Sequence, residues 1–462
     1  MQVNCKKEIK NYQAAMIKHL QGWVKINSAL DESSVGPNAP FGKGPHEALE
    51  YIAKVAEKDG FKVDRCDGYV TEITYDVGAQ DSIAILGHCD VVPLGEGWKH
   101  NPLGGEVIDN VIYGRGVLDD KGPTSAAYFA LKIIRDLKLP LKHNVRIVVG
   151  GNEETGSRCL YHYFRELKRP APKYGFTPDA EFPLIYGEKG IMGYVYSGNI
   201  HDSVIESLEA GVATNAVPAS CKLVFRKVMN LEKEFKDYCA KHNFSGDYQN
   251  DKDGKTVILM HGKAAHGSTP ELGVNALTVL LKFVANQDVS EIANHFGPKL
   301  CCYYGKRLGI NGSGPKMGYL TMNVGIGSIK DDKYYFILDI RYPIDLDYAK
   351  IVKQLDSQKM HEGKARGNSK PLYLDPHSKM IETLLRIYQE VSGDYESKPM
   401  TIGGGTYARS TENTVAYGMD FLTHRGNGTQ GMHSPDEGLC LDDYWQGCEI
   451  YVNAIYELGN LD

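Results

Sequence analysis

Hydrophobic positions along the 462-residue chain fall into two textures. In the first part, short apolar runs alternate with stretches of helical period. Ser82–Leu86 predicts a buried strand that ends at Gly87-His88, and Val145–Val149 a second that ends at Gly150-Gly151-Asn152. Between them, apolar residues recur at helical spacing over Thr124–Leu137, with Pro123 suited to a first turn. The N-terminal stretch MQVNCKKEIKNYQAAMIKHLQGW predicts a surface helix. Strands alternating with helices imply an α/β fold: a mostly parallel sheet flanked by helices. In such sheets chemistry gathers beyond the carboxyl ends of the strands, which is where His88, Glu153 and Glu154 lie.

The texture changes over 188–382. Isolated strands (Gly193–Ser197, Tyr334–Arg341) and a polar loop at Gln249–Gly254 predict an inserted α+β domain, and the partial alternation of Tyr334–Arg341 suits a sheet with one exposed face. Helical period returns at Ile381–Val391, before a glycine-rich loop and the segment that carries His433. The expected organisation is a catalytic domain from 1–187 and 383–462 with a lid of 188–382 between its halves. Such a length exceeds what one core usually holds, in keeping with two domains.

Composition narrows the function classes. Hydrophobic residues make up 42% and charged residues 24%, as in a soluble globular protein, and a net charge of −6 argues against nucleic acid or a membrane surface as partner. The N-terminus has no apolar run of signal-peptide or membrane-span type. Ten scattered cysteines without a CxxC pair suit a reducing cytoplasm and encode neither a zinc ribbon nor a redox motif.

Five segments carry candidate chemistry. In G-H-C-D-V-V-P (87–93), His88 at a strand end can present an imidazole to a metal, and Asp90 can orient it; a hydrogen-bonded turn histidine fits the same pattern. In Y-G-R-G-V-L-D-D-K-G (113–122), Asp119 and Asp120 open a helix. They read as an N-cap pair or as the source of the bridging carboxylate that two neighbouring cations need. V-G-G-N-E-E-T-G-S (149–157) places Glu153 and Glu154 directly after an apolar strand, where like charges are costly without a cation. T-P-D-A-E-F-P (177–183) offers Asp179 and, more weakly, Glu181; G-M-H-S-P-D-E-G (431–438) offers His433 in a loop. A solvated turn or an exposed histidine accounts equally well for each of these last two alone.

Taken as an ordered set over essentially the whole chain, GHCDVVP, YGRGVLDDKGP, GGNEETGS, PDAEFP and GMHSPDE resemble the co-catalytic metallopeptidase superfamily of aminoacylase, carboxypeptidase G and carnosinase, and within it the PepV-type bacterial dipeptidases. The resemblance implies two divalent metal ions, zinc first, with manganese or cobalt as alternatives. His88 and Asp179 would bind one ion, Glu154 and His433 the other, and Asp119 both. Glu153 would be the general base for a hydroxide held between the ions, Asp90 the partner of His88, and the Asp119-Asp120 peptide would be cis. Three ligand carboxylates against two divalent ions leave one positive charge, which one hydroxide balances. The implied substrate is a small peptide.

The same resemblance singles out three residues of the inserted domain: Asn215 (G-V-A-T-N-A-V-P), His266 (H-G-K-A-A-H-G-S) and Arg341 (L-D-I-R-Y-P). Asn215 and His266 would stabilise an oxyanion, and Arg341 would hold a C-terminal carboxylate. A cap, a surface histidine and a salt-bridged arginine are the ordinary readings. Gly403, Gly404 and Gly405 in T-I-G-G-G-T-Y-A-R are a candidate anion nest or a plain flexible loop. His261 is a reserve for His266; His19, His46, His100, His143, His162 and His201 have no partner pattern. The lid, longer than in many relatives, implies a monomer. An N-acyl amino acid deacylase or desuccinylase would use the same groups, and an inactive metal-binding scaffold would have no need of Glu153.

Overall fold

The computed structural model describes residues 3–200, 204–421 and 431–462; His201 lies outside them. The chain forms two compact units. One comprises Met1–Gly187, Leu374–Met400 and Thr406–Asp462, the other Glu188–Tyr373 and Thr401–Gly405.

The first unit is built on a sheet that is parallel at its centre. Strand Ser82–His88 pairs in parallel with Asn144–Gly150 on one side and Tyr174–Thr177 on the other, and Thr414–Ala416 continues the parallel run. Val70–Tyr75 and Lys62–Asp64 extend the far edge in antiparallel fashion. The central strands carry apolar residues on both faces because both faces are covered, Arg146 being a buried exception. Ile83 and Ile85 point into the main core with Val145, Ile147 and Val149, whereas Ala84 and Leu86 point into a second cluster with Val148 and Tyr163. Helix Lys121–Asp136 is buried almost throughout, with Pro123 in its first turn. It packs against Lys6–Val24 and Leu441–Leu458. The N-terminal helix buries the stripe Ile9, Met16, Leu20 and Trp23 and leaves its other face in solvent.

The second unit carries an eight-stranded sheet in the order Ser245–Asn250, Thr256–His261, Ser220–Phe225, Ile205–Ala210, Thr321–Lys330, Lys333–Tyr342, Gly190–Asn199, Glu362–Ser369, antiparallel at every junction. Alternate residues (Met192, Tyr194, Tyr196; Phe336, Leu338, Ile340) form its core with helices Ala276–Asn286 and Glu291–Leu300.

Three boundaries differ from the sequence expectation. Gln249 and Asn250 belong to an edge strand whose exposed polar face reads as loop. The chain rejoins the first unit at Leu374 rather than at 383: the Leu374 N–H donates to Tyr186 O at 2.9 Å, ahead of the helix Lys379–Ser392 that produced the periodic signal. Thr401–Gly405 falls in the second unit, tied there by Lys189 N–H to Ile402 O at 2.9 Å.

Candidate metal centre

Three neighbouring parallel strands each end on a candidate ligand. His88 closes its strand; Glu154 follows Asn144–Gly150, and Asp179 follows Tyr174–Thr177. Asp119 immediately precedes helix Lys121–Asp136, across a cis Asp119-Asp120 peptide. His433 enters from the loop before strand Gly438–Cys440, which pairs with Val111–Tyr113 and so runs beside the segment that leads to Asp119.

These side chains converge into two groups that share Asp119: His88–Asp119–Asp179, and Asp119–Glu154–His433. Within each, the candidate ligand atoms lie within 4.8 Å of one another. His88 Nε2 is 3.0 Å from Asp119 Oδ1 and 3.6 Å from Asp179 Oδ2; His433 Nε2 is 2.9 Å from Asp119 Oδ2 and 3.1 Å from Glu154 Oε1. Asp119 thus turns one oxygen to each histidine.

The protonation logic tests whether a cation fits. His88 Nδ1 sits 3.0 Å from the backbone carbonyl of Asp90, which only accepts, so Nδ1 carries a proton. In a neutral ring the lone pair of Nε2 then faces carboxylate oxygens, and neither Nε2 nor Asp119 Oδ1 forms an aligned hydrogen bond among the described residues. Only a second proton or a cation relieves that contact. The charges of the cluster say the same. Burial works against a charged His88, yet Asp119, Asp179 and Asp90 lift it well above the usual imidazole range. Burial likewise opposes His433, but Asp119 and Glu154 raise it to about 11. Burial and then Asp119 push Asp179 up to about 7 and raise Glu154. Burial and then Asp179 push Glu153 well above the usual carboxyl range. Oxygen and imidazole donors crowded this closely suit divalent cations, which would replace the protons.

Asp90 does more than the sequence suggests. Its carboxylate is 3.4 Å from His88 Nδ1, but it accepts from Glu153 N–H at 2.9 Å on each oxygen and from Glu154 N–H at 3.1 Å. It therefore fixes the backbone of both glutamates. Glu153 joins neither ligand group, and Glu181 lies on the short strand Ala180–Glu181, also outside them.

In the second unit, Asn215, His266, Arg341 and Gly403 come together. Asn215 O accepts from Gly267 N–H at 2.6 Å, and Ala216 bridges to His266. Ser268 N–H donates to His266 Nδ1 at 3.3 Å, so the neutral ring carries its proton on Nε2 and can donate from there. The Arg341 side-on fork is taken by Asp339, with Nε to Oδ1 at 2.8 Å and Nη2 to Oδ2 at 2.9 Å, while Nη1 donates to Gly403 O at 2.8 Å. Among the described residues each Nη keeps one further N–H. Gly403 offers Arg341 a carbonyl, and Gly403, Gly404 and Gly405 all lie outside the left-handed region, so the run lacks the alternation from which an anion nest is built. His261 is paired with Asp247 at 2.9 Å.

Three further residues reach into the centre; the sequence offers Asp120 only as part of an acidic pair at a helix start and gives Arg115 and Glu437 no role. Asp120 accepts from His88 N–H at 3.0 Å and Thr124 Oγ1 at 2.8 Å. Arg115 and Glu437 form a buried ion pair at 2.7 Å beneath Asp119 and His433.

An α/β unit with paired histidine–carboxylate groups beyond its parallel strands, joined to an antiparallel α+β unit, defines a metallohydrolase type of architecture. The chain belongs to peptidase family M20/M25/M40, whose model matches residues 84–457. It is 34% identical to "Putative dipeptidase" of Staphylococcus epidermidis (strain ATCC 12228 / FDA PCI 1200), covering 98% of this chain and 99% of that one. It is 33% identical to "Putative dipeptidase YtjP" of Bacillus subtilis (strain 168), over 99% and 100%. The M20 family metallo-carboxypeptidase Sso-CP2 of Sulfolobus solfataricus shares the fold, with a TM-score of 0.59 at 18% identity over 96% of this chain and 98% of that one. No helix among the described residues is long and apolar enough to cross a membrane.

Proposed function

We propose that this protein is a two-ion dipeptidase that hydrolyses the amide bond of dipeptides with a free C-terminal carboxylate. The observation that carries the reading is the pair of ligand groups sharing Asp119, with Glu153 beside them and in neither. Divalent ions held by His88, Asp119 and Asp179, and by Asp119, Glu154 and His433, would acidify a water and polarise the scissile carbonyl. Zinc is the first candidate, manganese and cobalt the others. Glu153, fixed through its backbone by Asp90, takes a proton from the attacking water and returns it to the leaving amine nitrogen. Asn215 and His266, the latter through Nε2–H, would donate to the oxyanion, and the remaining Nη N–H groups of Arg341 would take the substrate carboxylate. The curated relatives named as dipeptidases support the substrate class. The ten free cysteines fit a cytoplasmic protein, and a monomer is the proposed state.

The test is a panel of dipeptides, tripeptides and N-acyl amino acids offered to metal-stripped protein with zinc, manganese or cobalt restored in turn. Dipeptides should be cleaved with two ions per chain. Glu153→Ala should keep both ions and lose on the order of 10²–10⁴-fold in turnover. Release of acetate or succinate from acylated amino acids with dipeptides left intact would replace the reading with a deacylase. Unchanged turnover in Glu153→Ala would remove the base.

A further inference from the structure

Glu437 is fully buried, and every oxygen it has is in use. Its Oε1 accepts from three donors of the loop that ends in Asp119: the N–H groups of Gly116 at 3.1 Å, Leu118 at 2.9 Å and Asp119 itself at 3.2 Å. Its Oε2 accepts from Arg115 Nη1 at 2.7 Å. Arg115, 2% exposed, faces the other way as well. Its Nη2 donates to His433 O and Leu94 O, and its Nη1 to Ser434 O, each at 3.3 Å, while the guanidinium lies over the Trp98 ring at 5.0 Å. One ion pair therefore grips the backbone of Asp119 from one side and that of His433 from the other. His433 has φ +63°, a conformation that a non-glycine residue holds only when its surroundings fix it.

A buried ion pair is weak evidence for stability, since desolvation cancels much of its attraction. What the pair supplies is placement. The other group is held differently: His88 has its N–H on Asp120 and its Nδ1 on the carbonyl of Asp90. The Glu437 tie falls on Asp119, which both groups share, whereas the Arg115 tie falls on His433, which belongs to one. We infer that Arg115, held in place by Glu437, is a positioning residue for His433, so that the pair sets the affinity of the ion of the Asp119–Glu154–His433 group more strongly than that of the other ion. This rests on the two-ion reading above.

The experiment titrates metal-stripped, full-length protein with Zn²⁺ by calorimetry and with Co²⁺ by its visible absorption, without peptide. Glu437→Gln keeps an acceptor oxygen for the three N–H groups and removes the charge opposite Arg115. Arg115→Lys keeps the charge and cannot reach three carbonyls at once. In each variant one ion should weaken by roughly 10–100-fold and the other by severalfold less, with an unchanged far-ultraviolet circular dichroism spectrum. Equal weakening of both ions, or two ions bound as in the wild type, would overturn the inference. So would loss of the folded state in both variants, which would make the pair a structural lock. Because no peptide is present, the ion titration does not depend on dipeptide cleavage. Fewer than two ions on the wild type overturns the two-ion reading and this inference with it, whereas unequal weakening of the two ions supports the inference whatever the substrate.

Discussion

His88 and His19 are buried in the same unit and keep opposite company. His88 looks onto Asp119 and Asp179, with Asp90 behind it. His19 lies among the rings of Trp23, Tyr51, Tyr128 and Phe129, with centroids 5.4–5.9 Å away, and neither of its nitrogens has a hydrogen-bond partner among the described residues. Carboxylates lift the first well above the imidazole range; burial drags the second down to about 4. Burial alone does not mark a ligand. A histidine among rings settles the cost of burial by staying neutral, whereas one whose acceptor nitrogen faces carboxylates needs a cation there.

Removing each ring in turn should separate the two histidines most strongly. His88→Ala should lose an ion and reduce dipeptide hydrolysis by more than the roughly 10–100-fold that losing an outer partner costs. His19→Leu should leave ion stoichiometry and turnover at neutral pH unchanged. Metal content measured beside initial rates decides it, and a His88→Ala protein within tenfold of wild type would erase the distinction. A smaller effect is expected at Asp90, whose carboxylate holds the N–H groups of Glu153 and Glu154. Asp90→Ala should lower turnover by roughly 10–100-fold with both ions still bound, because it frees the backbone of the base and of one ligand. Wild-type turnover in that variant would show that the acidic company of His88 acts only through direct contact.

The distinction between the two histidines was half legible in the sequence. His88 follows an apolar run, and an aspartate two residues on marks a strand end with chemistry; His19 lies in a stretch that reads as a surface helix and has no partner pattern, and the structure places it in a buried stripe with Met16, Leu20 and Trp23. The strands themselves were legible because Ile83, Ile85, Val145 and Ile147 bury both of their faces. Their last residues were not: pairing continues to His88 opposite Gly150, and glycine contributes no side-chain signal. The roles of Asp120, Arg115 and Glu437 were invisible for a different reason. They act on backbone N–H and carbonyl groups up to about 320 residues away, and a contact of that kind leaves no spacing to read. Gln249 and Asn250, the end of the polar edge strand Ser245–Asn250, read as loop because an exposed edge has one half-buried face at most.

The mildest effect is expected at His19. Its folded-state value of about 4 lies below the ordinary 6.5 because burial disfavours the charged ring, with the Asp59 carboxylate offsetting part of that. The unfolded chain binds the proton first as pH falls, so the neutral buried ring costs nothing above 6.5 and progressively destabilises the fold between 6.5 and 4. The slope is about 1.4 kcal/mol per pH unit, so at pH 5.5 the loss is a little over 1 kcal/mol. Other groups in the molecule also titrate there, and the difference between wild type and His19→Leu removes them. Denaturant unfolding of the two proteins at pH 7.5, 6.5 and 5.5 should show the variant gaining on the wild type only below 6.5, while its ion content stays at the wild-type level at neutral pH. A difference that stays flat across that range would mean the aromatic cage admits a proton or a water, and that His19 is not the carboxylate-free counterpart of His88.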